Sequence, residues 1–141
     1  MAALLRTKLP LLDNWNVRRR ALAAQYSANL EGSGLAPQHV PEWAEPVWHL
    51  YVVRSAQRQQ LQEGLAARGI QTIIHYPVPP HLQPAYAELK LEQGRFPISE
   101  AIHAEVLSLP FWPQMQDSQQ AEVAAACRQL CTGAGAADQA A

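Results

Sequence analysis

Cysteine is scarce in this sequence, with only Cys127 and Cys131 among 141 residues. A small secreted scaffold held by disulfides needs more, so the chain reads as one made for a reducing cytoplasm. Charge of one sign is not in excess either: 11 Lys and Arg stand against 12 Asp and Glu, a formal net charge of -1. Gripping a phosphate backbone calls for a concentrated basic surplus, which argues against nucleic acid as a partner. The one basic cluster, Arg18-Arg19-Arg20, lies inside a helical stretch and is too short to change that reading. No apolar run approaches the roughly 20 residues that a membrane span requires, so no membrane partner is expected. The opening, Met1 to Lys8, meets a charge at Arg6 before any hydrophobic run develops, unlike a secretory signal.

Reactive motifs are equally sparse. There is no Gly-x-Ser-x-Gly elbow and no phosphate-cradling glycine loop, so a hydrolase built on His75 and His81 lacks a nucleophile. The glycine clusters at Gly32 and Gly133 read as a helix stop and a loose tail. Glu42, Glu45, Glu100 and Glu105 are scattered, give no convincing acid/base pair and for the most part read as solvated. A zinc site from His49, His75 and His81 matches no compact ligand spacing, and we reject it. His49 itself reads as a partly buried histidine of a strand. Cys127 and Cys131 share one helix face and suit small buried hydrophobes better than metal ligands.

The sequence does have the means for one modest domain of alternating helices and strands, an α/β fold: it is 48% hydrophobic and 16% charged. Leu4, Leu5, Leu9, Leu12, Trp15 and Leu22 recur at separations that make a helical stripe running to about Leu30. Arg18, Arg19, Gln25 and Asn29 then fall on wetter faces. Pro10 lacks an N–H and crowds the preceding turn, which predicts a kink, or a break with a fresh start at Asp13. Gly32-Ser33-Gly34 ends the helix, and Leu35 to Pro46 reads as an extended connector. Val47 to Arg54, rich in β-branched and aromatic residues, is the clearest strand. Ser55 is placed to cap a helix carrying Leu61 and Leu65 and ending at Gly69. Ile70 to Tyr76 reads as a second strand, and Val106 to Leu109, stopped by Pro110, as a third. Between them Pro97 opens a short helix through His103. Asp117 or Ser118 starts the last helix, which carries Val123, Cys127 and Leu130, and residues 132–141 read as a disordered tail.

The strongest candidate for function is His75-Tyr76-Pro77-Val78-Pro79-Pro80-His81, where a strand gives way to a stiff, proline-fixed loop. Binding groups favour such places, because a firm scaffold presents an exposed loop. Imidazole can donate, accept or carry charge near neutral pH, and tyrosine offers a hydroxyl on an aromatic plane. His75, Tyr76 and His81 together suit a polyhydroxylated, phosphate-bearing ligand. The alternative, that His75 and Tyr76 merely finish a strand while the prolines turn the chain, stays open at this level.

Four segments, in order, resemble the C-terminal region of the DegT/DnrJ/EryC1/StrS family of nucleotide-sugar aminotransferases. They are Leu4 to Pro10 leading to Trp15-Asn16-Val17-Arg18-Arg19-Arg20, Trp48 to Arg54, Gly69 to Pro77 with Pro79 and His81, and Leu107-Ser108-Leu109-Pro110 with Pro113. Each is weakly specific alone, and the set covers nearly all of the chain to about Leu130.

The resemblance implies the small domain of a fold-type-I aminotransferase: a long helix passing between domains (residues 1–31), then a small, mostly antiparallel sheet with helices on one face (residues 32–131). It implies a parent enzyme dependent on pyridoxal phosphate (PLP), moving an amino group from an amino acid, usually glutamate, to a nucleotide-linked keto sugar. His75, Tyr76 and His81 would bind that nucleotide sugar. A large PLP-binding domain and a second subunit of a homodimer would be the partners. The only lysines, Lys8 and Lys90, do not lie in the family's cofactor-lysine setting. The expectation is therefore that the cofactor residues precede residue 1 and that this chain alone binds no PLP and is inactive. Two rival readings are a non-catalytic dimerisation or ligand-binding module, and a fragment of a sugar dehydratase of the same family.

Overall fold

Proline decides how the chain starts. In the computed structural model, which describes the backbone of residues 2–137 and side chains to residue 131, helix α1 (Ala2–Lys8) gives way to a turn of 3-10 helix at Leu9–Leu11 around Pro10. Helix α2 (Leu12–Asn29) then starts afresh. The predicted stripe divides at that break. Leu22, Ala23, Tyr26 and Leu30 are buried, Trp15 is half-buried, and Leu4 and Leu9 stay 69% and 66% exposed. The arginines of α2 also differ from expectation. Arg18 donates to the Met115 carbonyl (2.9 Å) and pairs with Asp117 (2.6 Å). Arg19 donates to the carbonyls of Trp48 (2.9 Å) and His49 (3.0 Å). Rather than facing water, these two side chains fasten the helix to later segments, and their long stems cover apolar surface on the way. Gln25 is half-buried, and Asn29 donates to Gln120 of the last helix.

Three antiparallel strands follow in the order β1 (Ala36–Pro37), β2 (Tyr51–Arg54) and β3 (Val106–Leu109). β2 begins at Tyr51 and not at Val47 because Trp48 adopts φ +53°, a left-handed conformation that a strand cannot contain. Arg19 holds the two carbonyls of that bend, and His49 is exposed beside it instead of sitting within a strand. The register sets Tyr51 opposite Leu109 and Val53 opposite Leu107. Successive strand side chains alternate in direction, so these four share one face, and all are buried. The expected strand over Ile70 to Tyr76 reduces to a single bridge between Ile73 and Ser108 on the outer edge of β3.

The helices close the core. α3 (Arg58–Ala66) contributes Leu61 and Leu65 and stops at Gly69, whose φ of +75° is the left-handed turn that glycine accepts without a steric penalty. Ser55 Oγ accepts the Gln57 N–H just before α3 starts. α4 (Pro97–Glu105) runs directly into β3, and α5 (Asp117–Ala137) packs Val123, Ala124 and Cys127 into the same cluster. The helix therefore continues past Leu130 into the stretch read as a tail; residues 138–141 lie outside the described residues. Among the described residues no helix is long and apolar enough to cross a membrane.

This partition predicts unequal costs of truncation along the first helices. Leu22→Ala is expected to cost about 3 kcal/mol of stability, and Leu9→Ala no more than about 0.5 kcal/mol. Urea unfolding midpoints of the two variants against the parent chain check it.

Candidate functional site

The segment from Ile73 to Tyr76 is held mainly by side chains. Ile73 exchanges two backbone hydrogen bonds with Ser108, 2.8 and 3.3 Å long. Ser108 is the polar member of Val-Leu-Ser-Leu and points to the face of β3 opposite Leu107 and Leu109. It is buried, so its hydroxyl needs a partner, and His75 Nδ1 lies 2.9 Å from Ser108 Oγ. Beyond it, His103 Nδ1 lies 2.6 Å from the Tyr76 carbonyl oxygen. A carbonyl only accepts, so this nitrogen of His103 carries the proton. The rings of His75 and Tyr76 meet edge to face with centroids 5.6 Å apart, and the peptide bond joining them is cis. Tyr76 is 66% exposed.

His81 is placed differently. The prolines before it lead into a 3-10 turn at Pro80–Leu82, and its side chain is only 7% exposed. Its Nε2 lies 3.0 Å from Glu100 Oε1, and its ring packs edge-on against Phe96 at 4.9 Å. Glu100 also accepts from the backbone N–H groups of Gly94 (2.9 Å to each oxygen) and Phe96 (3.2 Å). Phe96 is the N-cap of α4, so the carboxylate reaches back over the helix start much as a capping glutamate does. These donors favour the charged form: the Gly94 N–H is the largest influence, burial opposes it, and the Phe96 N–H and His81 add to it, so that the Glu100 carboxyl is held below its ordinary value.

The structure thus brings His75 and Tyr76 together at the surface and puts His81 into a buried contact with Glu100. Glu100 is not a solvated carboxylate, whereas Glu105 is partly exposed and accepts two hydrogen bonds from Arg54 at the surface. Three residues that sequence reading did not single out for a role, Ser108, His103 and Glu100, supply the support. The polar interruption of an apolar strand and a glutamate just inside a proline-opened helix were the available signals. Burial pushes the Cys127 thiol up to about 12, leaving it far from the reactive thiolate range.

Two apolar hollows are of similar size. One, of about 550 Å³, is lined by His39, Pro41, Val47 and Trp48 among others, well before the candidate segment in sequence. The other, of about 560 Å³, runs along Arg95, Phe96, Ile98, Ile102 and His103. Because His103 also bonds Tyr76, the second adjoins the candidate site.

A helix crossing a small antiparallel sheet with an irregular edge at residues 73–76 is a fold found in aminotransferases. The crystal structure of an aminotransferase from Brucella abortus matches with a TM-score of 0.83 at 30% identity, over 91% of this chain and 34% of that one. The structure of Streptomyces venezuelae DesV in complex with a ketimine intermediate matches with a TM-score of 0.89 at 44% identity, over 92% of this chain and 35% of that one. The sequence profile of the DegT/DnrJ/EryC1/StrS aminotransferase family covers residues 1–128, and the chain belongs to that family. Among its relatives, the dTDP-3-amino-3,4,6-trideoxy-alpha-D-glucose transaminase of Streptomyces venezuelae is 47% identical over 131 residues, 91% of this chain and 34% of the relative. The chain spans about a third of the length of the curated relatives it matches.

Glu100 carries a pH-dependent contribution with a definite sign. Its folded value lies below the reference of 4.5, so the stability it adds is complete above that pH and is lost as the pH falls through the lower folded value. The stability difference between the parent chain and Glu100→Gln is therefore expected to be constant at neutral pH and to shrink below pH 4.5, measured by denaturation across that range.

Proposed function

We propose that this chain supplies the substrate-facing C-terminal part of a PLP-dependent aminotransferase acting on a nucleotide-linked keto sugar. In the overall exchange an amino acid gives up its amino group and becomes a keto acid, while the keto carbon of the sugar takes the amino group and becomes an amino sugar. The observation that carries the reading is Tyr76: a phenol 66% exposed, on a segment pinned by buried Ser108 and half-buried His103, in a chain 44% identical to an enzyme crystallised with a ketimine. Tyr76 presents its hydroxyl and ring face to the ligand, and His75 adds a ring nitrogen beyond the one turned to Ser108. His81, buried against Glu100, steadies the proline loop that follows Tyr76 rather than facing the ligand.

The residues present do not fit the cofactor itself. A lysine that forms an imine is activated by a desolvated pocket or a cationic neighbour, and Lys8 and Lys90 both lie exposed. We therefore assign PLP to residues outside this chain. The exposed leucines of α1 give a large domain or a second subunit an apolar face to cover, and two free cysteines support a reducing cytoplasm as the place where the assembled enzyme works.

Two measurements test the reading. Titrating a dTDP-linked amino sugar into the isotopically labelled chain is expected to give saturable shifts at His75 and Tyr76, and Tyr76→Ala to weaken binding about tenfold. A folded chain that shows no saturable response would count against the proposal. Mixing the chain with PLP is expected to give no visible absorbance band that depends on a lysine; a band abolished by Lys8→Ala or Lys90→Ala would contradict the assignment of the cofactor elsewhere.

A further inference from the structure

After Ile73 leaves the edge of β3, no backbone–backbone hydrogen bond among the described residues fixes Ile74, His75 or Tyr76. Two side chains from different elements take over. Ser108 on β3 holds the His75 ring, and His103 in the last turn of α4 holds the Tyr76 carbonyl. His103 is itself secured, since Arg58 of α3 donates to its carbonyl at 2.8 Å, one of the free carbonyls at a helix C-terminus. Consecutive residues are therefore referenced to the sheet on one side and to two helices on the other.

We propose that Ser108 and His103 are positioning residues that hold Tyr76 in one orientation for a nucleotide sugar, a role that rests on the functional reading above. With the His75 ring and the Tyr76 carbonyl both fixed, the main remaining freedom of Tyr76 is rotation of its own side chain. The edge-to-face contact with His75 biases that rotation. A phenol arranged in advance binds without the ordering cost that a free loop would add. His81, fastened to Glu100, has no part in this orientation.

The test uses the full 141-residue chain and four proteins: the parent, His103→Ala, His103→Asn and Ser108→Ala. NMR relaxation reports the order of the Tyr76 backbone and ring, and a dTDP-linked amino sugar is titrated into each. His103→Ala and Ser108→Ala are expected to drop the Tyr76 backbone order parameter from about 0.85 toward about 0.6. Each is expected to weaken the sugar nucleotide about fivefold, the effect of one lost hydrogen bond. The Asn amide can replace the Nδ1 donor, so His103→Asn is expected to recover most of both losses. Unchanged Tyr76 order in His103→Ala and in Ser108→Ala overturns the proposal. Should His103→Ala fail to fold, Ser108→Ala decides the matter alone, because it keeps both backbone bonds to Ile73. If the order falls and is rescued while the parent binds no sugar nucleotide, the functional reading fails and the pinning of Tyr76 stands.

Discussion

Tyr51 is the point at which the long helix, the sheet and the segment after β3 are tied together. Its ring stacks on Tyr26 of α2 at 4.8 Å and on Trp48 at 5.5 Å, and lies 6.0 Å from Phe111. Its hydroxyl meets Ser27 of α2, while the Tyr26 hydroxyl donates to the Pro110 carbonyl. Both tyrosines are fully buried, so these polar tips have to be satisfied within the protein, which leaves few ways to lay α2 across the sheet. Arg19 completes the arrangement, with its guanidinium 5.7 Å from the Phe111 ring and bonded to the bend before β2. With α2 so placed, β2 and β3 have one face filled, and Ser108 is left pointing the other way toward the candidate site.

Much of the fold is legible where local chemistry and tertiary context agree. β3 matches Val106 to Leu109 because Pro110 ends it, and α3 ends where Gly69 supplies a left-handed turn. β-branched and aromatic residues also promise a strand from Val47, and alternation of Ile70, Thr72 and Ile74 another, and there the long-range contacts prevail. The bend at Trp48 is held by an arginine 29 positions away, and the edge of β3 accepts only Ile73. Charge at Arg18 and Arg19 suggests solvent, yet both reach carbonyls that only the folded chain brings near.

The candidate site divides in the same manner. His75 and Tyr76 can be read from their residue types beside a proline-fixed loop. Their supports cannot: Ser108 lies 33 positions from His75 and His103 27 from Tyr76. The proposal that these residues serve sugar amination rests on membership of an aminotransferase family and likeness to the DesV structure, while the geometry says which side chains stand exposed and which hold them.

Glu100 fastens two places at once, His81 on one side and the Gly94–Phe96 turn on the other. The residues between them form a loop whose two ends meet at a single carboxylate. Lengthening such a loop adds only a slowly growing closure entropy, well under 1 kcal/mol for a doubling. Residues added among the exposed positions 84–90 would therefore cost little closure entropy while the ground on either side holds still.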